Sequence, residues 1–350
     1  MQGQGEHRSL IPFPPTAPVS ALARLRHAQI RGLGRADQPN LFDRLDWLEA
    51  LHRLCMPETT PHILSAAEGR TQAWLFLVEN GDNERAAIAN WYSFAFRPVF
   101  AGDPSAEQRS RLMERIARDL GRDAAQLHLY PVRADDGTSA LFLSAFRKAG
   151  WITVGRPMGV NHYLNVGGRD FDAYWAARPG KLRNTVRRKL RTTPLAFDIH
   201  RTMTDALWDD YAAVYRRSWK PSEPSLDFLR LIATQEGAAG TLRLGFARED
   251  GFPVATQFWT VENGVALIHK LAHDQGADEM SPGTLLSHHM FRAAIDDDLV
   301  GTIDYGTGDN PYKTEWMDAQ RPLYRIDCFN PRFSSAWLPA AKTAISMLVG

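Results

Sequence analysis

Apolar positions along the chain follow helical and extended spacings in turn. Leu112, Ile116 and Leu120 share one stripe of a predicted helix, and Asn80-Gly81 between two apolar runs predicts a hairpin. In the first half the patterns predict, in order, a helix beginning near residue 41, strands over 74–78 and 86–92, a helix over 107–120, a strand over 127–132, a helix over 139–149, and strands over 151–154 and 162–166.

The second half repeats this order loosely. The patterns predict helices over 172–177 and 182–191, a strand over 197–200, helices over 206–219 and 226–236, strands over 242–247, 254–261 and 265–272, a helix over 284–296, strands over 301–305 and 323–329, and a terminal helix. Meanders mixed with single helices are typical of an α+β fold and not of a doubly wound parallel sheet.

The length of 350 residues favours two domains, because single hydrophobic cores stop growing at roughly 250–300 residues. Residues 1–38 are rich in Pro, Gly, Arg and Gln and are predicted to be a flexible N-terminal leader. We predict an N-terminal domain over 39–166 and a C-terminal domain over 167–350 that carries the active site.

Composition narrows the class of protein. The net charge of +1 produces no global field toward DNA or a membrane, so an electrostatic role needs a local patch. Cys55 and Cys328 lie far apart, outside any CxxC or His/Cys cluster, which predicts reduced thiols and neither a disulfide nor a metal site. Met1–Ala17 lacks the apolar core of a secretion signal, and no apolar run reaches about 18 residues, so a cytoplasmic protein without a transmembrane segment is expected.

A basic segment over 181–191 is the first candidate for function. Leu182, Val186 and Leu190 form a buried stripe, and Arg183, Arg187 and Arg191 run beside it, with no acid between residues 172 and 198. Guanidinium groups donate paired hydrogen bonds to phosphate oxygens, so contact with a polyanion is one interpretation. A solvated face neutralised by acids elsewhere in the fold is the other.

A strand over 267–272 leads through a polar loop into Ser281-Pro282-Gly283-Thr284, which predicts a helix start. The free amides and positive dipole end of a helix start bind anions, although most helix starts bind nothing.

The loop over 304–316 follows an apolar strand and contains Asp304, Asp309, Tyr312 and Lys313. Titratable groups on such a loop indicate a site, yet Gly, Asp, Asn and Pro also simply form turns.

Taken in order, these segments resemble the branch of the GNAT superfamily called the cellulose-biosynthesis-type or Fem-like acetyltransferases. The matching positions are Lys181–Asn184, Tyr215–Trp219, His269–Asp274, Ser281–Leu286, Asp304–Trp316 and, in the first half, Phe42–Leu48. The match covers about residues 170–330, and its last motif is the specific one. The resemblance implies a tandem GNAT fold, in which each domain is a mixed, mainly antiparallel sheet flanked by helices.

The resemblance also implies that an acyl group passes from acetyl-CoA or another acyl-CoA to an amine. In this superfamily the donor lies between a splayed strand and the next helix start. The corresponding cofactor-binding positions are His269, Lys270, Leu271, Ala272, Ser281, Gly283, Thr284 and Leu285. The usual pyrophosphate motif, Gln/Arg-x-x-Gly-x-Gly/Ala, is absent from the loop over 278–284.

The proposed chemistry assigns roles within the last motif. Amine acylation needs a base, for which Asp304 and Asp309 are the candidates, and backbone N–H groups of the strand over 269–272 could stabilise the oxyanion. Lys313 matches a family lysine near the reaction centre and would neutralise charge or hold a phosphate, while Tyr312 would protonate the leaving group.

Arg183, Arg187 and Trp219 are the predicted substrate-binding residues. Three functions stay open. The first is CoA-dependent acylation of a small-molecule amine, an amino sugar or a cell-envelope glycan precursor. The second is aminoacyl-tRNA-dependent transfer to a peptidoglycan precursor, the one case with a tRNA partner. The third is a non-catalytic protein that binds a sugar-phosphate. A monomer and a homodimer are both compatible with the sequence.

Overall fold

A computed structural model describes residues 21–27 and 31–349 of the chain. Residues 1–20 and 28–30 of the predicted leader therefore lie outside the described residues. The expectation about secretion depends on Met1–Ala17, which also lies outside them. The described parts of that segment differ from a leader, because Leu22 and Leu33 are buried in the core.

Twelve strands of the described chain form one mixed sheet in the order β1-β2-β3-β5-β12-β6-β11-β10-β9-β8-β7, and β4 pairs with β2. The strands are β1 (Pro61–Glu68), β2 (Thr71–Glu79), β3 (Glu84–Ala87), β4 (Val99–Ala101), β5 (Gln126–Arg133), β6 (Ile152–Asn165), β7 (Leu195–His200), β8 (Leu242–Glu249), β9 (Phe252–Glu262), β10 (Val265–His273), β11 (Thr302–Thr307) and β12 (Ala319–Phe329). Only the pairs β3/β5 and β10/β11 are parallel among the described strands, and the predicted α+β class is confirmed.

Helices cover both faces of the sheet. Within the described ranges they are α1 (Ala21–His27), α2 (Leu45–Cys55), α3 (Ala106–Leu120), α4 (Thr138–Lys148), α5 (Phe171–Ala176), α6 (Gly180–Thr192), α7 (Asp205–Arg217), α8 (Leu226–Ala238), α9 (Pro282–Arg292), α10 (Pro311–Trp316) and α11 (Trp337–Val349). A π-helical turn, Ala293–Asp297, continues α9. No helix among the described residues is both long enough and apolar enough to cross a membrane.

Local sequence signals account for several of these elements. Ser105 caps α3 by accepting a hydrogen bond from the amide of Gln108, whose side chain bonds back to Ser105. Asn263 and Gly264 both have positive φ, 51° and 73°, which suits the tight turn between β9 and β10. The hairpins predicted around residues 250 and 263 are therefore confirmed.

Three strands, β1, β4 and β6, differ from the pattern-based prediction. β6 is one strand of 14 residues where two short strands were expected, because Gly155, Pro157 and Gly159 interrupt its apolar alternation. Pro157 lies beside a register shift of β12, where a missing N–H is tolerated. β1 was not predicted, because five of its eight residues are polar or small and all five are half-buried or exposed.

The last strand of the chain completes the sheet of the first half. β12 lies between β5 and β6, and Ile326 and Cys328 pack into the core beneath α3 and α4. The predicted boundary at residue 166 consequently does not separate two sheets, because β6 also pairs with β11 of the second half.

The two halves share one core on one face of the sheet. Trp74 of β2, Tyr211 of α7 and Phe258 of β9 belong to the same buried cluster. We call this side of β9–β11 the inter-half face. On the opposite side, Trp259 and Ile268 pack with Leu285 and Leu286 of α9, and we call that side the α9 face.

Candidate active site

The cleft of the candidate site is opened by the separation of β10 from β11. The two strands pair in parallel over Val265–Leu267 and Thr302–Asp304, and the pairing ends there. A register shift against β9 between Ile268 and Lys270 bends β10 at this point. Beyond Leu267 and Asp304 the two strand edges are therefore not paired with each other, which is the splay that the resemblance implied.

α9 begins beside this gap. Ser281 precedes it in the left-handed region at φ 55°, Pro282 occupies the first turn, and no side chain caps the helix start. A Cβ atom on Gly283 would lie 3.1 Å from Nδ1 of His273, so a larger residue would press on that ring. The uncapped amides of Gly283 and Thr284 are free to bind an anion.

α10 brings Tyr312 and Lys313 to the other side of the gap. Nζ of Lys313 donates to the carbonyl oxygens of Tyr305 at 3.1 Å and Thr307 at 2.7 Å, just beyond the point where the strands part. Burial lowers the pKa of Lys313 to about 8, while Asp304 and Asp309 oppose the shift. The ammonium therefore anchors the end of β11 and leaves little donor capacity for a phosphate.

Tyr305 connects α9 to α10. Its side chain interacts with Ser287 of α9 and with Tyr312, whose ring centroid lies 5.6 Å away in an edge-on arrangement. Burial raises the pKa of Tyr312, so its phenol stays protonated at neutral pH. The loop carrying Tyr312 and Lys313 thus lies on the same side of the molecule as the start of α9.

Asp304 has the geometry of a structural ion pair. Its carboxylate accepts hydrogen bonds from Arg321 at 2.7 Å, Asn161 at 2.6 Å and the amide of Gly306 at 2.8 Å, and the residue is 6 % exposed. These three donors leave at most one of the carboxylate's roughly four acceptor directions for a substrate amine. The geometry therefore argues against Asp304 as the base.

Asp309 has the opposite environment. Its side chain is 70 % exposed, and Oδ1 lies 3.0 Å from Nε2 of the buried His162 on β6. One side of the carboxylate is held while the rest faces solvent. Asp309 is accordingly the more accessible carboxylate of the two predicted candidates.

The predicted strand residues point in different directions. His269 is enclosed by the rings of Phe42, Phe94 and Phe258 and shares a hydrogen bond of 2.9 Å with Thr260. Burial lowers its pKa to about 3, so the ring is neutral and packed, and the side chain does not reach the cleft. Leu271 packs toward the α9 face, whereas Ala272 belongs to the inter-half core.

The basic helix α6 packs against α9. Lys189 donates to the carbonyl of Glu279, just before α9, while Arg183 is half-buried and donates to the carbonyl of Arg178. Arg187 is exposed, and none of the described carboxylates forms an ion pair with it. The predicted substrate residue Trp219 is 58 % exposed and lies two residues after the end of α7.

Lys270, a predicted cofactor-binding position, joins residues that the sequence did not indicate at the open end of the cleft. Nζ of Lys270 forms an ion pair of 2.9 Å with Glu223, whose side chain is fully buried and also accepts a hydrogen bond from Tyr92. Lys220 lies beside them. The available signal was Lys270 itself, because a charged residue within an apolar strand needs a partner.

A cavity of about 340 Å³ lies on the inter-half face. Its lining includes Phe42 and Phe94 from the first half, and Thr260, Leu267, Asp304 and Arg321 from the shared sheet. Leu267 and Asp304 are also the last paired residues before the strands separate, so the cavity adjoins the cleft. In the described ranges, no group of three or more His, Cys, Asp or Glu side chains is arranged to hold a metal ion.

Comparison with known proteins agrees with this geometry. Residues 180–314 match the family model of an acetyltransferase (GNAT) domain. No curated protein matches the chain in sequence.

Solved structures share the whole architecture at low identity. FemX superposes with a TM-score of 0.60 at 10 % identity, over 84 % of this chain and 93 % of FemX. The C-terminal domain of a proposed lysylphosphatidylglycerol synthetase from Agrobacterium fabrum gives 0.53 at 14 %, over 86 % and 96 %. L-PGS from Bacillus licheniformis gives 0.53 at 13 %, over 89 % and 97 %. Residues 180–314 are therefore similar to a GNAT domain, and the chain shares its fold with FemX and with these two structures.

Proposed function

We propose that this protein is an N-acyltransferase that moves an acyl group from acyl-CoA to an amine acceptor. The observation that carries the proposal is the gap between β10 and β11, with the uncapped start of α9 on one side and Tyr312 on the other. The match of residues 180–314 to a GNAT acetyltransferase domain supports acyl transfer as the reaction class.

The donor would enter from the α9 face. Its pyrophosphate would accept hydrogen bonds from the amides of Gly283 and Thr284, and its pantetheine arm would run along the open edge of β10. A backbone N–H of this edge would stabilise the oxyanion of the tetrahedral intermediate. The leaving thiolate would take a proton from Tyr312, which burial keeps protonated.

The acceptor would enter from the inter-half face. The cavity beside Leu267 and Asp304 offers aromatic walls and paired charges, which suit a polar, uncharged or zwitterionic molecule such as an amino sugar or an envelope precursor. Asp309 stays the proposed base, because its carboxylate is exposed and oriented by His162.

Calorimetric titration with acetyl-CoA tests the donor directly. Binding should be accompanied by thermal stabilisation, and a ligand at a hundredfold excess over its dissociation constant adds about 2.7 kcal/mol to the free energy of unfolding. Release of free CoA in the presence of a panel of amino sugars then tests transfer. An absence of acetyl-CoA binding at millimolar concentration would contradict the proposal.

One observation favours a second candidate, an aminoacyl-tRNA donor. Arg187, Arg188 and Arg191 lie on the exposed side of α6, and none of them forms an ion pair with a carboxylate of the described chain. Such a surface suits a polynucleotide backbone. The tRNA alternative predicts tRNA binding whose affinity falls steeply with salt concentration and a failure to bind acetyl-CoA, so the same titrations separate the two donors.

A further inference from the structure

Three ammonium groups converge at the open end of the cleft. Ser218 bridges to Asp274 next to the end of β10, and Glu223 holds Lys270 at 2.9 Å, so the segment between them crosses the end of this strand. Lys220 is carried by that segment and lies within electrostatic reach of both Lys270 and Lys313. The cluster thus joins β10, α10 and the connection between α7 and α8.

Positive charge exceeds negative charge in this cluster. Glu223 is its one carboxylate among the described residues, and Lys270 and Tyr92 already engage it. The two other acids that act on Lys313 are held elsewhere, Asp304 by Arg321 and Asp309 by His162. Tyr211 and Tyr215, which also face Glu223, carry no charge because burial raises the pKa of both.

The donors of the three lysines are not equally occupied. The ammonium of Lys313 donates hydrogen bonds to carbonyl oxygens of β11, and that of Lys270 forms an ion pair with Glu223. In residues 21–27 and 31–349, no hydrogen bond or ion pair engages the ammonium of Lys220, which lies 5.9 Å from the ring of Trp219. Neighbouring ammonium groups repel one another, and an anion bound among them would relieve this repulsion.

The cluster faces the acceptor side of the cleft. Lys270 lies directly opposite Phe258 in the β9–β10 pair, and Phe258 belongs to the inter-half core. Lys270 also packs its ammonium 4.6 Å from the ring of Tyr92, a residue of the first half. The neighbouring pair, Leu271 and Gln257, points to the α9 face, where the donor is proposed to bind.

We propose that Lys220 and Lys270 bind an oxyanion, a phosphate or carboxylate group of the acceptor substrate, with the charge of Lys313 behind them. Glu223 positions Lys270, and Lys220 is half-buried beside the exposed ring of Trp219. This inference rests on the proposed function for the identity of the ligand. The acceptor would therefore combine an amine with an acidic group, the amine reaching the gap and the acid reaching this cluster.

Inorganic phosphate is the probe for the site, and sodium chloride keeps the ionic strength constant. Phosphate should raise the thermal midpoint of the full-length protein in a saturable manner. Lys220→Met should weaken phosphate binding by about tenfold or more, because it removes a charge-assisted hydrogen bond. Lys220→Arg should retain much of the response, and the exposed Lys148→Met should behave as wild type.

Acetyl-CoA titration of the same variants separates this proposal from the proposed function. Acetyl-CoA should bind Lys220→Met with the wild-type affinity, and saturating acetyl-CoA should leave the phosphate response in place. A phosphate response that is absent from wild type, or equal in wild type and Lys220→Met, would overturn the oxyanion site. Competition between phosphate and acetyl-CoA would overturn the assignment of this site to the acceptor, because the two lysines would then bind a phosphate group of the donor.

Discussion

The ammonium of Lys313 lies 2.7 Å from the carbonyl oxygen of Thr307, six residues earlier in the chain. Through this contact the start of α10 holds the end of β11 away from β10. The lysine is thereby a positioning residue for the cleft, since its donors are spent on backbone carbonyls before any ligand arrives.

Replacing Lys313 should consequently affect both the fold and the reaction. Lys313→Met should lower the free energy of unfolding by about 1–3 kcal/mol, because buried carbonyls lose their donor. It should also lower kcat by about a hundredfold, because the end of β11 shifts. Chemical denaturation and acyl-transfer kinetics measure the two effects, with Lys148→Met as the control. Unchanged kinetics in a folded variant would remove Lys313 from the site.

The pKa of Lys313 also predicts a dependence of stability on pH. Burial lowers it from the ordinary 10.5 to about 8, so between these values the unfolded chain binds more protons than the folded protein. Stability contributed by this residue should therefore rise as pH increases from 8 to 10.5. Denaturation curves of wild type and Lys313→Met over that range should differ in slope, and parallel curves would contradict the assignment.

Asp304 and Asp309 should respond oppositely to substitution. Asp304→Ala should lower the free energy of unfolding by about 1–3 kcal/mol, because buried donors of Arg321 and Asn161 lose their acceptor while Arg321 keeps its ion pair with Asp135. Asp309→Asn should change stability by about 1 kcal/mol or less, because the carboxylate of Asp309 is 70 % exposed, yet it should lower kcat if Asp309 is the base. Equal losses of stability in the two variants would contradict the difference in burial between the two carboxylates.

Gly283 should be sensitive to size because of its distance from His273. Gly283→Val should weaken acetyl-CoA binding by about tenfold or more, since the added carbons occupy the helix start that would hold the pyrophosphate. Gly34→Ala is a matched control, because a Cβ there meets no atom within 4 Å. Calorimetry gives both dissociation constants, and a tight complex with Gly283→Val would move the pyrophosphate away from α9.

His269 should make the protein sensitive to acid. Burial and the neighbouring Lys270 lower its pKa from 6.5 to about 3. As pH falls through this interval, the unfolded chain therefore binds a proton at this residue while the folded protein does not. The free energy of unfolding should fall by up to about 1.4 kcal/mol per pH unit on this account. His269→Gln should show a shallower decline between pH 6.5 and 4.5. An identical decline in wild type and variant would mean that other groups cause it.

The sequence was most informative where a local signal decides the structure. Asn263-Gly264 specifies its hairpin, and Pro282 and Gly283 specify the start of α9, so the order of strand, loop, helix and strand around the gap could be predicted. The motif over 304–316 also identified the loop that faces this gap. These signals act over a few residues, within the range of turn and capping chemistry.

Contacts between distant strands could not be predicted in this way. Asp304 looked like a free acid because its partners, Asn161 and Arg321, come from two other strands. Tyr92, Glu223 and Lys270 meet only after the two halves have packed together. The spacing of apolar residues along the chain does not indicate such pairings. The group formed by Lys220, Lys270 and Lys313 could therefore be recognised only from the structure.

The position of β12 also affects the order of events during synthesis. Because residues 319–329 lie between β5 and β6, the ribosome must synthesise the second half as far as β12 before the first half can close its sheet. Until then β5 and β6 each have an unpaired edge that could join a strand of another nascent chain. Residues 319–329 therefore act as the closing strand of the first half, and termination before them would leave that half without a complete sheet.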